Sequence, residues 1–429
     1  MIPGIVAAQG SAGGGAAGTT DQLFAVGAFA TPLSTGNQDI TLASISDHTP
    51  KAALFFPTVA TEATTIFDDA FIGRGAADGT NEFALCTWSQ HGAAGNTNHR
   101  AGVTDACVLI EDASGIIAEA SFVSFIPGGI RINWTTVDAS NSYKCLIVLL
   151  AGDNLSAQAG TTLHPAAGTT VSLGFEPEII FTFGYNDTIP ETTSTEFSFS
   201  EGITTWDGAT ILDQGVATVG GLEGASASGS EDTRRLQYYS NAVSGAQALR
   251  NATTQYLTFV TAVDATSFTI RANNNNTPAN THQVGYLALS WVGDVAIHFD
   301  DFTAPFSGSP QTVSGVGFRP TFVYAVMNYV PSTNGFQLGI PGYGPAIASA
   351  EDGNFSACFV AKHNWPASAP NTTQEFTSMS ETVLRKIASP TVNGSIGEIF
   401  QFNPDGFDLN WSENQAWDSP WPFLCLAKI

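Results

Sequence analysis

Cysteine and histidine recur together in this chain. "FALCTWSQH" (83–91) and "FSACFVAKH" (355–363) hold Phe, Cys and His at identical offsets, and those two ligand types bind zinc when they converge. The period of two along a strand argues against convergence. Cys86 shares a face with Trp88 and Gln90, while His91 shares the other with Phe83, Leu85, Thr87 and Ser89. Cys358 and His363 divide in the same way. Small buried cysteines beside strand-end histidines are therefore expected, not a metal site. Two acidic pairs, Asp68–Asp69 and Asp300–Asp301, have the chemistry for calcium or a glycosidase dyad, but spacing along the chain does not fix their distance in space, and solvated turns are the expectation. HExxH, GxSxG and Walker A patterns are absent, and the GxGxxG from Gly13 to Gly18 has no strand before it. The chain is expected to have no catalytic residues, no cofactor and no metal. Trp365, Trp417 and Trp421, in Pro- and Asn-containing stretches, are the candidates for surface contact.

The elements that must carry these residues declare themselves by repetition. "GGIRINW" (128–134) and "DGFDLNW" (405–411) share Gly, Asn and Trp, and the match extends upstream without a gap, Phe125 and Pro127 falling in register with Phe402 and Pro404. Ile130, Ile132 and Trp134 alternate with Arg131 and Asn133, as Phe407, Leu409 and Trp411 do with Asp408 and Asn410; this is the pattern of a half-buried strand. "IPGG" and "NPDG" before them are hairpin turns. "VDATSFTIRA" (263–272) keeps the spacing of a third copy, in which Ala272 replaces the Trp and the turn has lost its Pro.

Other landmarks follow in the same order. "HTPKAALFF" (48–56), "GFEPEIIF" (174–181) and "GFRPTFVY" (317–324) read as opening strands, and "CLIVLLAGD" (145–153), "YLALSWVGD" (286–294) and "FLCLAKI" (423–429) as closing ones. Many short β-rich runs and no sustained 3.6-residue pattern give an all-β chain of three tandem β-sandwich repeats. The expected domains are a Gly/Ala-rich arm at 1–22 and repeats at 23–153, 154–294 and 295–429, each long enough to close its own core.

Composition bounds the partners. Only 12% of the residues are charged, and 14 basic against 38 acidic residues give a net charge of −24. That opposes any partner bound by neutralising phosphates, so neither nucleic acid nor an anionic membrane is expected. No apolar run reaches the length of a spanning helix, and the start lacks the pattern of a secretory signal. Five cysteines without CxxC suit folding as thiols in a reducing cytoplasm.

The first nine residues, "MIPGIVAAQ", resemble the Met-x-Pro-Gly-Ile-Val-Ala-x-Gln starts of tailed-bacteriophage virion proteins of the tail-fibre, tail-tip or head-spike class. Ala8 stands where Gly is frequent, and the tandem β modules also resemble those of phage structural proteins. The resemblance implies a virion structural protein, not an enzyme, whose arm docks to other virion proteins through Pro3, Gly4, Ile5 and Val6. It implies β modules that meet a host-surface glycan or protein, in a homo-oligomer with a trimer favoured. A head decoration or spike protein is the alternative in the same class; a carbohydrate-active β-sandwich enzyme and a secreted adhesin are the alternatives outside it.

Overall fold

The computed structural model describes residues 22–62, 66–89, 98–163, 168–185, 192–194, 196–222, 234–239, 246–249, 255–272, 283–303, 310–328, 335–338, 343–362, 372–378, 384–389, 392–413 and 420–429. The fold is all-β. Apart from one 3-10 turn at Ala43–Ile45, every regular element described is an antiparallel strand. Each repeat is built on a seven-stranded sheet, six of whose strands are its own, and a four-stranded sheet. In the first repeat the larger sheet runs Phe24–Ala30, Lys144–Leu150, Ala52–Pro57, Ala70–Ala77, Glu82–Ser89, Asn98–Val103, and the smaller runs Gly36–Thr41, Gly129–Thr136, Gly115–Ile126, Val108–Asp112. The same order recurs twice along the chain.

The repeated hairpins are where the sequence places them. Ile126 pairs with Gly129, and Asn403 with Gly406. Ile130, Trp134, Phe407 and Trp411 are all buried, each packed in its own repeat between the two sheets. Gly406 is required for close approach: a Cβ there would lie 1.9 Å from the Val313 carbonyl oxygen, and at Gly129 2.1 Å from that of Ile40. In the middle copy Asp264 supplies the turn instead of proline, its carboxylate accepting from Thr266 N and Ser267 Oγ. The tryptophan also has a partner that changes with it. Trp134 Nε1 donates to Gln38 Oε1 at 2.8 Å, and Trp411 Nε1 to Gln311 Oε1 at 3.0 Å; the same glutamines donate to Ala30 O and Thr303 O, tying the smaller sheet to the larger. Where the middle copy has Ala272, the glutamine position is Thr169, which pairs with Ile270 as Gln38 pairs with Ile132.

The closing strands show how the repeats meet. Along Lys144–Leu150, Cys145, Ile147 and Leu149 face the smaller sheet of their own repeat, whereas Leu146, Val148 and Leu150 face a second core shared by all three repeats. Leu287 and Leu289 join that shared core from the second repeat, and Leu424 and Leu426 from the third. A strand buried on both faces must be apolar throughout, which is why "CLIVLL" and "FLCL" do not alternate. Each repeat thus has a core between its own two sheets, and the three sandwiches form a ring around a further, shared core. Each large aromatic in that core contributes about 2 kcal/mol by burial alone.

Strand exchange closes the ring. The short strand Thr192–Ser194 of repeat 2 adds to the larger sheet of repeat 1, beside Asn98–Val103. Gly335–Leu338 of repeat 3 adds to repeat 2, beside Arg234–Tyr239, and Ile66–Asp68 of repeat 1 adds to repeat 3, beside Thr372–Ser378. Every repeat gives one strand and receives one, so each larger sheet has an edge covered by its neighbour.

Candidate functional site

The axis and the three seams between repeats are where side chains of different repeats converge. Corresponding positions follow from the pairing register. Leu54, Phe181 and Tyr324 lie opposite Val148, Leu287 and Leu424, and Ala76, Ile203 and Ile347 lie opposite them on the next strand. Two residues further along that strand stand Arg74, Glu201 and Pro345. A corresponding position therefore carries a cation, an anion and a neutral residue in the three repeats. Arg74 Nε and Nη2 both donate to Glu201 Oε2 at 3.0 Å, and Tyr343 OH donates to the same oxygen at 2.9 Å. One residue from each repeat thus enters a single buried cluster. The guanidinium also lies 5.0 Å from the Phe56 ring centre and 5.7 Å from that of Phe199. Burial, and then the Glu201 charge, push the Tyr343 phenol well above its ordinary pKa, so it acts as a neutral donor.

The seams differ from one another. After the fourth strand of each larger sheet comes a hairpin with an Asp-Gly pair, at 78–79, 207–208 and 352–353. Asp78 Oδ2 accepts Ala159 N of the second repeat at 2.8 Å, and Asp352 Oδ2 accepts Val26 N of the first at 2.8 Å. Val26 and Ala159 are corresponding positions, opposite Val148 and Leu287. Among the described residues Asp207 makes no such bond across its seam: its carboxylate accepts from Ala209 and Thr210 of its own turn. A second position distinguishes the seams. Lys51, Glu178 and Thr321 each follow a proline and donate a backbone N–H to the closing strand, to Leu150, Leu289 and Leu426. Lys51 Nζ extends into the seam between repeats 1 and 2 and donates to Asp153 O and Leu155 O at 2.6 and 3.2 Å. Glu178 instead turns to its own closing strand, accepting from Ser290 Oγ, Trp291 N and Gly293 N.

A groove of about 500 Å³ opens at this second seam, lined by Phe175, Glu176, Trp206 and Asp207 of repeat 2 and by Val295 and Ile297 of repeat 3. Ser156, Glu178, Gly208, Ser290 and Val292 complete its lining. Trp206 is half-buried, and its Nε1 donates to Glu176 Oε1 at 2.7 Å. Close by along the same seam, Asp213 is held up to about 6 by burial, then by the like charge of Asp300, with His298 opposing the shift. His298 Nε2 lies 3.8 Å from Asp300 Oδ2, and burial followed by Asp300 raises Asp301 as well.

The residues singled out from the sequence fall elsewhere. Pro3, Gly4, Ile5, Val6, Trp365 and Trp417 lie outside the described residues, as do His91 and His363. Trp421 belongs to the strand Pro420–Lys428, where it pairs with Phe302; its side chain is not described. Cys86 is buried, with Sγ 3.4 Å from Glu111 Oε2. Cys86, Cys107, Cys145 and Cys425 are all thiols, and no group of three metal-ligand side chains occurs among the described residues. Of the acidic pairs, Asp300–Asp301 lies in the strand Val295–Thr303 and not in a turn, and the charge of Asp300 acts on Asp213 by like-charge repulsion. Trp206 and Glu178 went unnoticed in the sequence. The signal available was the position after the shared proline, which reads Lys, Glu and Thr in the three copies.

No family model matches the chain, and no curated protein matches it. Among solved structures it is similar to one described as "The Triple Jelly Roll Fold and Turret Assembly in an Archaeal Virus", at 8% identity over 95% of this chain and 90% of that one, with a TM-score of 0.15. A likeness at that score carries no argument about fold or function.

Proposed function

We propose that this chain is a structural protein of a bacteriophage virion, of the tail-fibre or tail-tip type, that docks by its N-terminal arm and presents its β-sandwiches to the host surface. The observation that carries this is the ring itself. Strand exchange and a shared core weld three modules into one body, which suits a part that must bear load and hold surfaces at fixed angles better than one that must open and close. The resemblance of the first nine residues to virion proteins supports it, and assigns docking against other virion proteins to Pro3, Gly4, Ile5 and Val6. In this proposal the chain is not an enzyme and needs no cofactor. Copies held together through their arms, as a homo-oligomer and by preference a trimer, would multiply weak contacts to a glycan or protein receptor. Removing residues 1–9 is the test: the shortened chain should unfold at the same temperature as the intact one and be absent from purified particles. Normal occupancy of the truncated chain would overturn the docking assignment.

A carbohydrate-active enzyme is the second reading, and Asp213 favours it, because an acid with a pKa near 6 beside a second carboxylate suits general acid work. Hydrolysis of a polysaccharide panel by the purified chain, lost in Asp213→Asn, would move the protein into that class.

A further inference from the structure

We infer that the groove between repeats 2 and 3 is a binding site for an uncharged carbohydrate, with the indole of Trp206 as its stacking platform. The first argument is asymmetry. In a ring built from one repeated unit, the other two seams are crossed by a carboxylate to backbone bond, from Asp78 to Ala159 and from Asp352 to Val26. At the remaining seam Asp207 bonds its own turn, and the residue in the Lys51 position is Glu178, drawn back to its own strand. The seam between repeats 3 and 1 also carries a groove, of about 330 Å³, but its lining, which includes Gln22, Thr321 and Lys428, holds no aromatic ring.

The lining supplies the second argument. Trp206 is fixed in its plane by the bond from its Nε1 to Glu176, which leaves its face as the functional surface. A pyranose presents C–H groups to such a face and hydroxyls around its edge. Glu176, Asp207 and Ser156 stand around the groove as acceptors for those hydroxyls, and no Lys or Arg lines it. An anionic ligand is therefore opposed by the site and by the net charge of −24. The third argument is strain on the rim. Val292, 74% exposed, has a φ of 51°, a conformation that a β-branched residue adopts only when its surroundings impose it. Glu178 imposes it here by taking the backbone N–H groups of Trp291 and Gly293 on either side.

The inference rests on the attachment reading for its biological setting, but its test does not involve particles, so either can fail alone. Saturation-transfer NMR on the full chain with neutral gluco-, manno- and galacto-oligosaccharides should show transfer to at least one of them. Trp206→Ala should weaken that binding at least tenfold. Because Trp206 also packs against the repeat 2 core, Ser156→Arg provides the second variant: it fills the groove from a half-buried rim position and should abolish transfer with unchanged thermal unfolding. No transfer to any of these sugars, or transfer that survives Ser156→Arg, would overturn the site. Binding of oligolysine alone, lost in Ser156→Arg, would also overturn it and make the seam a docking place for a basic protein.

Discussion

The seam between repeats 1 and 2 and the seam between repeats 2 and 3 join the same kind of edge to the same kind of edge, yet a carboxylate bond crosses the first and a groove with an indole wall lies at the second. At the first, Asp78 crosses to Ala159, and the exposed Lys51 bonds Asp153 O of its own repeat and Leu155 O at the start of the next. At the second, the corresponding residues fold back on their own repeat. The difference shows what tandem repetition within one chain permits and a homotrimer forbids. Three identical subunits would place three arginines, or three glutamates, at the axis position that here carries Arg74, Glu201 and Pro345. A buried position of that kind is tolerable only when opposite charges meet in it. Fusion into one chain lets each repeat specialise while the shared core keeps them in register.

The comparison breaks most severely at the axis. Arg74 and Glu201 have side chains 3% and 0% exposed, so removing either partner leaves an uncompensated buried charge. Glu201→Ala should cost about 3 to 5 kcal/mol, and because the cluster draws on all three repeats, calorimetry should show a single transition moving down as a whole. A transition that splits, with two repeats melting at the original temperature, would show that the ring is not one cooperative body. Replacing both, as Arg74→Met with Glu201→Leu, should recover much of the loss.

Next in size is the seam bond. Asp78→Ala loses the bond to Ala159 N as well as those within its own turn, to Thr80 and Asn81; Asp207→Ala loses only turn bonds. Asp78→Ala should therefore be the more destabilising, by about 1 to 3 kcal/mol, the value of a charge-assisted hydrogen bond with a partially buried donor. Equal losses measured by urea unfolding would mean that the bond to Ala159 contributes nothing to closing the first seam.

Much of this architecture was legible in the sequence, and the failures have a common cause. The period of two placed Ile130, Trp134, Phe407 and Trp411 inward, and Gly-Phe-x-Pro found the opening strands, because these signals concern what lies within about five residues or directly across one turn. Which repeat a strand's second face meets is not a local property. The uninterrupted apolar run Cys145–Leu150 reads as a closing strand, and an apolar run of that kind is compatible with cover by a helix, another repeat or another chain. The short exchanged strands, such as Thr192–Ser194, carry no apolar pattern because their contribution is backbone pairing. The groove was harder still. Trp206 sits beside Asp207-Gly208 in a hairpin that reads like any other turn, and its role depends on residues of the next repeat.

The seam between repeats 2 and 3 should also respond to pH. Asp213 has its pKa raised to about 6 in the folded chain from an ordinary value of 3.8. Between about pH 4 and 6 the folded state then holds a proton that the unfolded state has lost, so stability falls as pH rises through that window and the penalty stays constant above it. Since the site is about half exposed, solvent screening limits the penalty to about 1 kcal/mol. Asp213→Asn should raise the melting temperature at pH 7 and flatten the dependence between pH 4 and 6, whereas Asp39→Asn, at an exposed pair with Arg131 in the first repeat, should leave that slope in place. A slope unchanged in Asp213→Asn would assign the dependence to other carboxylates.

The smallest effect concerns the groove's rim, and its sign is the informative part. Val292 has 74% of its surface in solvent, so little packing is lost on its removal, while its φ of 51° costs a β-branched residue about 1 to 3 kcal/mol. Glycine adopts that conformation freely but loses about 0.5 to 1 kcal/mol more chain entropy on folding. Val292→Gly should therefore stabilise the protein by about 1 kcal/mol, read as a small upward shift of the unfolding midpoint. If the rim is held in place for sugar binding, the same variant should weaken transfer to the oligosaccharide that Trp206 binds, since a glycine rim is less fixed. Gain of stability with unaltered binding would reduce Val292 to a local accident of the turn, while loss of stability would show that the Glu178 bonds to Trp291 and Gly293 do not by themselves hold the backbone there.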